Sequence, residues 1–182
     1  WLTEHAEQTL DVQYFIFSTD NIGLIAIDYL VKAAERGVKV RILVDDIMVE
    51  ASGSELITLA AHKNISIKIY NPVANIGKNL FEKVVSLTTN FHQLNQRMHN
   101  KTFTVDGKVA ITGGRNVADE YFGYDHQYNF RDRDVLLIGG VTEKVQTSFE
   151  QFWQSELSVN VQDLIAEKNT EDYTPNFELL HQ

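Results

Sequence analysis

Leu10-Asp-Val-Gln-Tyr-Phe-Ile-Phe-Ser18, then Asn21-Ile-Gly-Leu-Ile-Ala-Ile-Asp-Tyr-Leu-Val-Lys-Ala-Ala-Glu-Arg-Gly37, then Val38-Lys-Val-Arg-Ile-Leu-Val44, run in the order of one strand-helix-strand unit. The first piece is rich in aromatic and β-branched side chains and reads as a strand. Asp20 or Asn21 can cap the helix that follows, whose apolar positions Leu24, Ile25, Ile27, Tyr29, Leu30, Val31 and Ala34 form one broad face. Gly37 stands where a left-handed residue ends a helix, and 38–44 is a buried-strand run. Ser52 or Ser54 opens a second helix to about His62, a third strand covers 65–70, and Asn71-Pro72 breaks it. Strand, helix, strand, helix, strand in that order implies parallel strands with helices packed outside them. The fold class is therefore α/β, a mixed and largely parallel sheet flanked by helices.

Further along, 135–138 reads as another strand and 142–153 as a closing helix. Leu80, Phe81, Val84, Val85 and Leu87 fit a core helix better than a membrane-facing one. Beyond Ser155 the periodicity weakens, and 169–176 reads as a solvated tail or a severed linker.

The chemistry is carried by His99-Asn-Lys101-Thr-Phe-Thr-Val-Asp106-Gly107 and Gly113-Gly114-Arg115-Asn116. Side chains two residues apart on a strand face the same way, so an imidazole and an ammonium share one side. One can attack phosphorus while the other holds a phosphoryl oxygen. Asp106-Gly107 between two strand-like runs is a two-residue hairpin signal with positive φ at both turn positions. That turn pairs residues summing to 213, which sets Lys101 opposite Thr112 and His99 opposite Gly114. Gly113 and Gly114 then let a phosphate approach the backbone, and Asn116 follows, also placed to cap a helix over 117–122.

This stretch resembles the phospholipase D superfamily, whose signature is His-x-Lys-x4-Asp followed by Gly-[Ser/Gly]-x-Asn, with Gly114 where many members carry Ser. Arg97-Met98 before the motif, Asp119-Glu120-Tyr121-Phe122-Gly123 and Phe130-Arg131-Asp132-Arg133-Asp134-Val135 after it, and the opening 10–46 are similar to the bacterial cardiolipin synthase and phospholipase branch. The resemblance covers roughly 1–155. It implies a phospholipase D-like α-β-α architecture and transfer or hydrolysis of a phospholipid phosphodiester through a phosphohistidine. It implies His99, Lys101 and Asn116 as catalytic, with Gly113, Gly114 and Arg115 binding substrate. Asp106 is implied to be structural. No cofactor and no metal is implied.

Sites of this superfamily use two such histidines, and no second His-x-Lys occurs among the six histidines. The expected arrangement is a catalytic half-domain over 1–155 and a helical or polar tail, or truncated linker, over 156–182. The second histidine would come from a missing C-terminal half or from a homodimer partner.

Composition bounds the alternatives. With 182 residues and 43% hydrophobic content, one domain with a substantial core is expected. There is no cysteine, which excludes disulfides and thiolate metal sites. No apolar run is long enough to span a bilayer, and no signal-peptide layout opens the chain. A net charge of −9 argues against broad nucleic-acid binding. Between 92 and 115 the balance reverses, with Arg97, Lys101, Lys108 and Arg115 against Asp106 alone, which suits one anionic headgroup such as that of phosphatidylglycerol. A bacterial protein held peripherally at a membrane surface is the expectation. Asp45-Asp46 at a strand end resembles a magnesium-binding pair, but without Asp-x-Asp spacing paired surface or supporting carboxylates are favoured. Asp132 and Asp134, flanking Arg133, are expected to form local ion pairs. A dimeric nuclease of the same superfamily and a non-catalytic headgroup-binding or scaffolding half stay open.

Overall fold

The computed structural model describes residues 1–45, 58–72 and 97–167. Asp46, most of the second helix expected at 52–62, the amphipathic run at 80–87 and the polar stretch at 169–176 lie outside them.

Among the described residues seven strands form one sheet: β1 (Thr9–Tyr14), β2 (Lys39–Asp45), β3 (Ile65–Tyr70), β4 (Thr102–Val105), β5 (Val109–Gly113), β6 (Asp134–Ile138) and β7 (Ser158–Asn160). Their order is β6-β5-β4-β1-β2-β3-β7. The three central strands pair in parallel, β1 with β2 and β2 with β3. The other four pairings are antiparallel. The sheet is mixed, as expected, but not largely parallel: its parallel pairings are confined to β1–β3 and antiparallel ones outnumber them. Hairpins and single antiparallel strands need no crossover helix, so they extend both edges cheaply. One of these, β7, was invisible to periodicity because it is three residues long.

Helix α1 (Asn21–Glu35) starts at Asp20, whose side chain accepts from Gly23 N, and stops before Gly37 at φ +98°. Its buried Ile27, Leu30 and Val31 pack on Leu10 and Val12 of β1, Val40, Ile42 and Val44 of β2, and Ile65, Ile67 and Ile69 of β3. Each such side chain, fully buried, contributes about 1.5–3 kcal/mol. Alternation sends the intervening residues to the opposite face. There Leu43 of β2 meets Phe149 of α2 (Val141–Trp153), together with Tyr70 and Met98. Helices therefore cover both faces, giving the α-β-α layering expected. A third helix, α3 (Val161–Glu167), follows β7. Among the described residues no helix is long and apolar enough to cross a membrane.

The second face carries polar residues that its apolar surroundings do not explain. Asp11 of β1, 2% exposed, receives both Arg41 Nε at 2.6 Å and Nη2 at 2.8 Å. The same guanidinium reaches Glu150 of α2 at 2.6 Å and lies over the rings of Phe149 and Trp153. One cation thus ties β1, β2 and α2 together.

The turn after β4 has positive φ at Asp106 (51°) and Gly107 (65°), as read. The register differs from the reading. Val105 pairs with Val109 and Thr102 with Thr112, so partners sum to 214 because Lys108 joins the loop. Asp106 has a second task that fixes this loop: its carboxylate accepts from the backbone N–H of Glu7, Gln8 and Thr9 at 3.0, 2.7 and 2.8 Å. Partial burial alone would push its carboxyl up. The three donors outweigh that and hold it below the ordinary carboxylate value. The stability it adds is therefore complete above the unfolded-state carboxylate pKa and is lost as pH falls through the lowered folded value. Asp106→Ala is expected to lose about 2–3 kcal/mol in urea unfolding at neutral pH, with the deficit shrinking in acid. An unchanged midpoint would remove Asp106 as the clamp on the start of β1.

Candidate active site

The site begins with β1. Its second-face residues Asp11 and Gln13 are followed two positions on by Phe15, just past the strand. The Phe15 ring lies 4.9 Å from that of His99 and 5.4 Å from Lys101 Nζ. The next residue, Ile16, donates its N–H to Asn116 Oδ1 at 3.0 Å. Two consecutive residues after β1 therefore touch all three groups that the motif reading singled out.

His99 and Lys101 sit on the extended segment entering β4, not within the strand itself. They share a side nonetheless: Lys101 Nζ is 3.4 Å from His99 Nε2 and donates to His99 O at 3.0 Å. His99 is exposed, while Lys101 is only 6% exposed. Burial lowers the Lys101 pKa below the ordinary lysine value, and the negative charge of Asp132 opposes that shift. An open imidazole beside a half-desolvated ammonium, their nitrogens 3.4 Å apart, can address the phosphorus and an oxygen of one phosphate.

The segment beneath His99 is locked from two sides. Met98 is fully buried; its sulfur receives Gln13 Nε2 at 3.0 Å, and its N–H donates to Asp45 Oδ2 at 2.9 Å. Arg97 Nη1 reaches Asp45 Oδ1 at 3.1 Å. Asp45 is 0% exposed, which takes it off the surface where the sequence reading allowed it.

Asn116 is 3% exposed. It does not cap a helix: the expected helix over 117–122 is a short 3-10 turn, Asp119–Tyr121, with Ala118 at its N-cap. The oxygen of Asn116 is held by Ile16, which leaves its amide N–H groups for another acceptor. The chain around it is stapled to the end of β1, through Ser18 N to Val117 O at 2.9 Å and Val117 N to Ile16 O at 3.2 Å. Asp119 then receives Asn21 Nδ2 at 2.7 Å and Ile22 N at 2.9 Å, adding a second cap to α1.

Gly113 and Gly114 have a local reason to be glycine. A Cβ on Gly113 would lie 2.2 Å from Asp134 Oδ1, and one on Gly114 would lie 2.6 Å from Asp132 Oδ1. The close approach comes from the chain entering β6. Extending the observed register puts Gly113 opposite Lys101 and Arg115 opposite His99, one residue away from the expectation. Arg115 Nη1 is 3.4 Å from Asp134 Oδ2, which is the ion pair formed from the Asp132-Arg133-Asp134 cluster.

Phe15 and Gln13 escape the motif reading, and Asp45 takes the supporting alternative of the two expected for it. A signal existed: Asp11 and Gln13 are polar residues at alternate positions of a central strand, where both faces are buried.

The family model for the cardiolipin synthase, PLD-like domain matches residues 2–153. Cardiolipin synthase C of Escherichia coli (strain K12) is 42% identical over 152 residues, covering 84% of this chain and 31% of that protein. The chain spans 27–36% of the length of these and other curated relatives it matches, about a third. Two solved structures have a similar fold. NucT from Helicobacter pylori has TM-score 0.58 at 17% identity, covering 87% of this chain and 86% of that one. Nuc from Salmonella typhimurium, a phospholipase D family member, has TM-score 0.54 at 16% identity, covering 87% and 85%.

Proposed function

That the chain belongs to the cardiolipin synthase, PLD-like domain family is the premise from which we propose its function: phosphodiester transfer or hydrolysis on a phospholipid, with this chain supplying one histidine of a two-histidine site. The observation that carries it is the 3.4 Å approach of Lys101 Nζ to an exposed His99 Nε2, with Phe15 and Ile16 bridging to Asn116.

In this reading His99 Nε2 attacks the phosphodiester phosphorus. An N–P bond forms, the ester P–O bond breaks, and the departing alcohol oxygen takes a proton from the second histidine. Lys101 and the amide of Asn116 hold the non-bridging oxygens as charge develops, and the backbone near Gly113, Gly114 and Arg115 lines the same position. The second histidine then takes a proton from the acceptor, whose oxygen displaces His99. A phosphatidylglycerol acceptor gives cardiolipin; water gives phosphatidate. The partner histidine comes from the rest of a longer protein, a reading supported by the one-third coverage of relatives, or from a second copy. Because the substrate is a bilayer lipid, the site works at a membrane surface.

Lys101 gives this scheme a pH signature. Its ammonium must be charged to hold an oxygen, and burial lowers its pKa. Activity should therefore fall on the alkaline side at a pH below the ordinary lysine value. Lys101→Arg should remove the share of that fall due to Lys101, since arginine does not deprotonate in this range, while lowering the maximum rate and keeping the fall set by the second histidine, which must be protonated to act as the acid. An alkaline profile identical in wild type and Lys101→Arg would assign the whole fall to another group.

The direct test is phosphatidylglycerol turnover in vesicles over a wide range of protein concentration, with and without chelator. Chelator-insensitive formation of cardiolipin or phosphatidate, alone or after adding a polypeptide carrying a second motif, supports the reading. A rate rising as the square of concentration assigns the second histidine to another copy. Loss of activity to chelator, or DNA cleavage without lipid turnover, overturns it.

A further inference from the structure

Asp45 ends a central parallel strand with a carboxylate that is wholly removed from solvent, yet no step of the phosphoryl transfer uses it. Burying a carboxylate is costly unless its oxygens are hydrogen-bonded, and here each oxygen has a defined use. Oδ2 accepts the backbone N–H of Met98 at 2.9 Å, and Oδ1 meets Arg97 Nη1 at 3.1 Å. Both partners precede His99 directly in the chain. The Met98 side chain is pinned independently by Gln13, itself 0% exposed and in contact with Thr102 Oγ1 at 3.4 Å. His99 is thus the first residue to leave a segment fixed by backbone, side chain and charge.

We propose that Asp45 is a positioning residue: it clasps the Arg97 guanidinium and the Met98 backbone and so sets where the His99 imidazole stands relative to Lys101. This rests on the reading of His99 as the attacking group. Misplacing a reacting atom by about 1 Å can cost on the order of 10²-fold in rate. A salt bridge from a fully buried carboxylate to the residue two before the nucleophile is a means of preventing that displacement. The carboxylate also keeps the Arg97 guanidinium at the mouth of the motif segment, which a neutral side chain could do only weakly.

The test uses the whole chain with histidine isotope labels, in wild type, Asp45→Asn, Asp45→Ala and Arg97→Lys. The His99 ring signals are assigned by their loss in His99→Ala. Asp45→Ala should shift or broaden the His99 signals while those of His5 and His126 stay in place, and Asp45→Asn should recover part of the difference. In turnover, Asp45→Ala should lower kcat by on the order of 10²-fold with KM within about twofold, and Asn should again fall between. If Asp45→Ala does not fold, Asp45→Asn and Arg97→Lys carry the same comparison. Unmoved His99 signals in a folded variant overturn the proposal, as does a rise in KM alone. Turnover is read with a polypeptide carrying the second motif present; a wild type silent in that assembly counts against the functional reading, while the ring signals still decide the positioning role.

Discussion

His99→Ala is expected to reduce turnover of the assembled enzyme at least about a hundredfold while leaving the fold unchanged. Both halves of that expectation follow from where the side chain sits. His99 is exposed and makes no contact that holds the sheet together; its neighbour Met98 and its support Asp45 do that beneath it. Truncation therefore removes the imidazole without creating a core cavity. It also removes the group placed to form a bond to phosphorus, since the Lys101 ammonium has no lone pair while charged and the Asp106 carboxylate is taken up by the N–H groups of Glu7, Gln8 and Thr9. Far-UV circular dichroism and the urea midpoint should match wild type. Near-normal turnover in a folded His99→Ala protein would place the nucleophile elsewhere.

Arg41→Ala should destabilise the chain by about 3–5 kcal/mol, because it strips the partner from a carboxylate buried between sheet and helix. Asp11, at 2% exposure, would keep only Gln146 Nε2 at 2.6 Å. Glu150 loses less, being closer to solvent, though in the intact protein the Arg41 guanidinium holds its carboxyl below the ordinary value. The arginine also covers Phe149 and Trp153, so part of the loss is packing. Replacing both charges, in an Arg41→Met, Asp11→Asn double variant, should recover much of the deficit, since no unpaired buried charge remains. Urea unfolding checks this through the midpoint at constant m. A deficit below about 1 kcal/mol in Arg41→Ala would mean the cluster is paired mainly through other groups.

How legible this was in the sequence depended on the reach of each interaction. Helix α1 could be read from Asp20 to Gly37 because cap, apolar face and left-handed stop are local. Strand 65–70 and the helix ending at Trp153 were equally local. The hairpin turn was also recognised, but not that Lys108 would be drawn into the loop, because the clamp on Asp106 comes from Glu7, Gln8 and Thr9 almost a hundred residues earlier. Asn116 was singled out as a helix cap and substrate ligand; its bond to Ile16 is non-local and displaces the cap. Gly113 and Gly114 were read against a phosphate, whereas the approach that constrains them in the fold comes from Asp132 and Asp134. Composition cannot show which distant segment will press on a glycine. The approach of Lys101 to His99 was legible because only two residues separate them, whereas Asn116 comes beside them through non-local contacts with the end of β1.

Covalent trapping tests whether His99 carries the phosphatidyl group: rapid acid-free quenching of the protein during turnover of phosphorus-labelled phosphatidylglycerol, followed by peptide mapping. An acid-labile label is expected on the peptide containing His99, lost in His99→Ala and retained on Asp106→Ala. Label on a different residue, or label that survives in His99→Ala, would contradict that role.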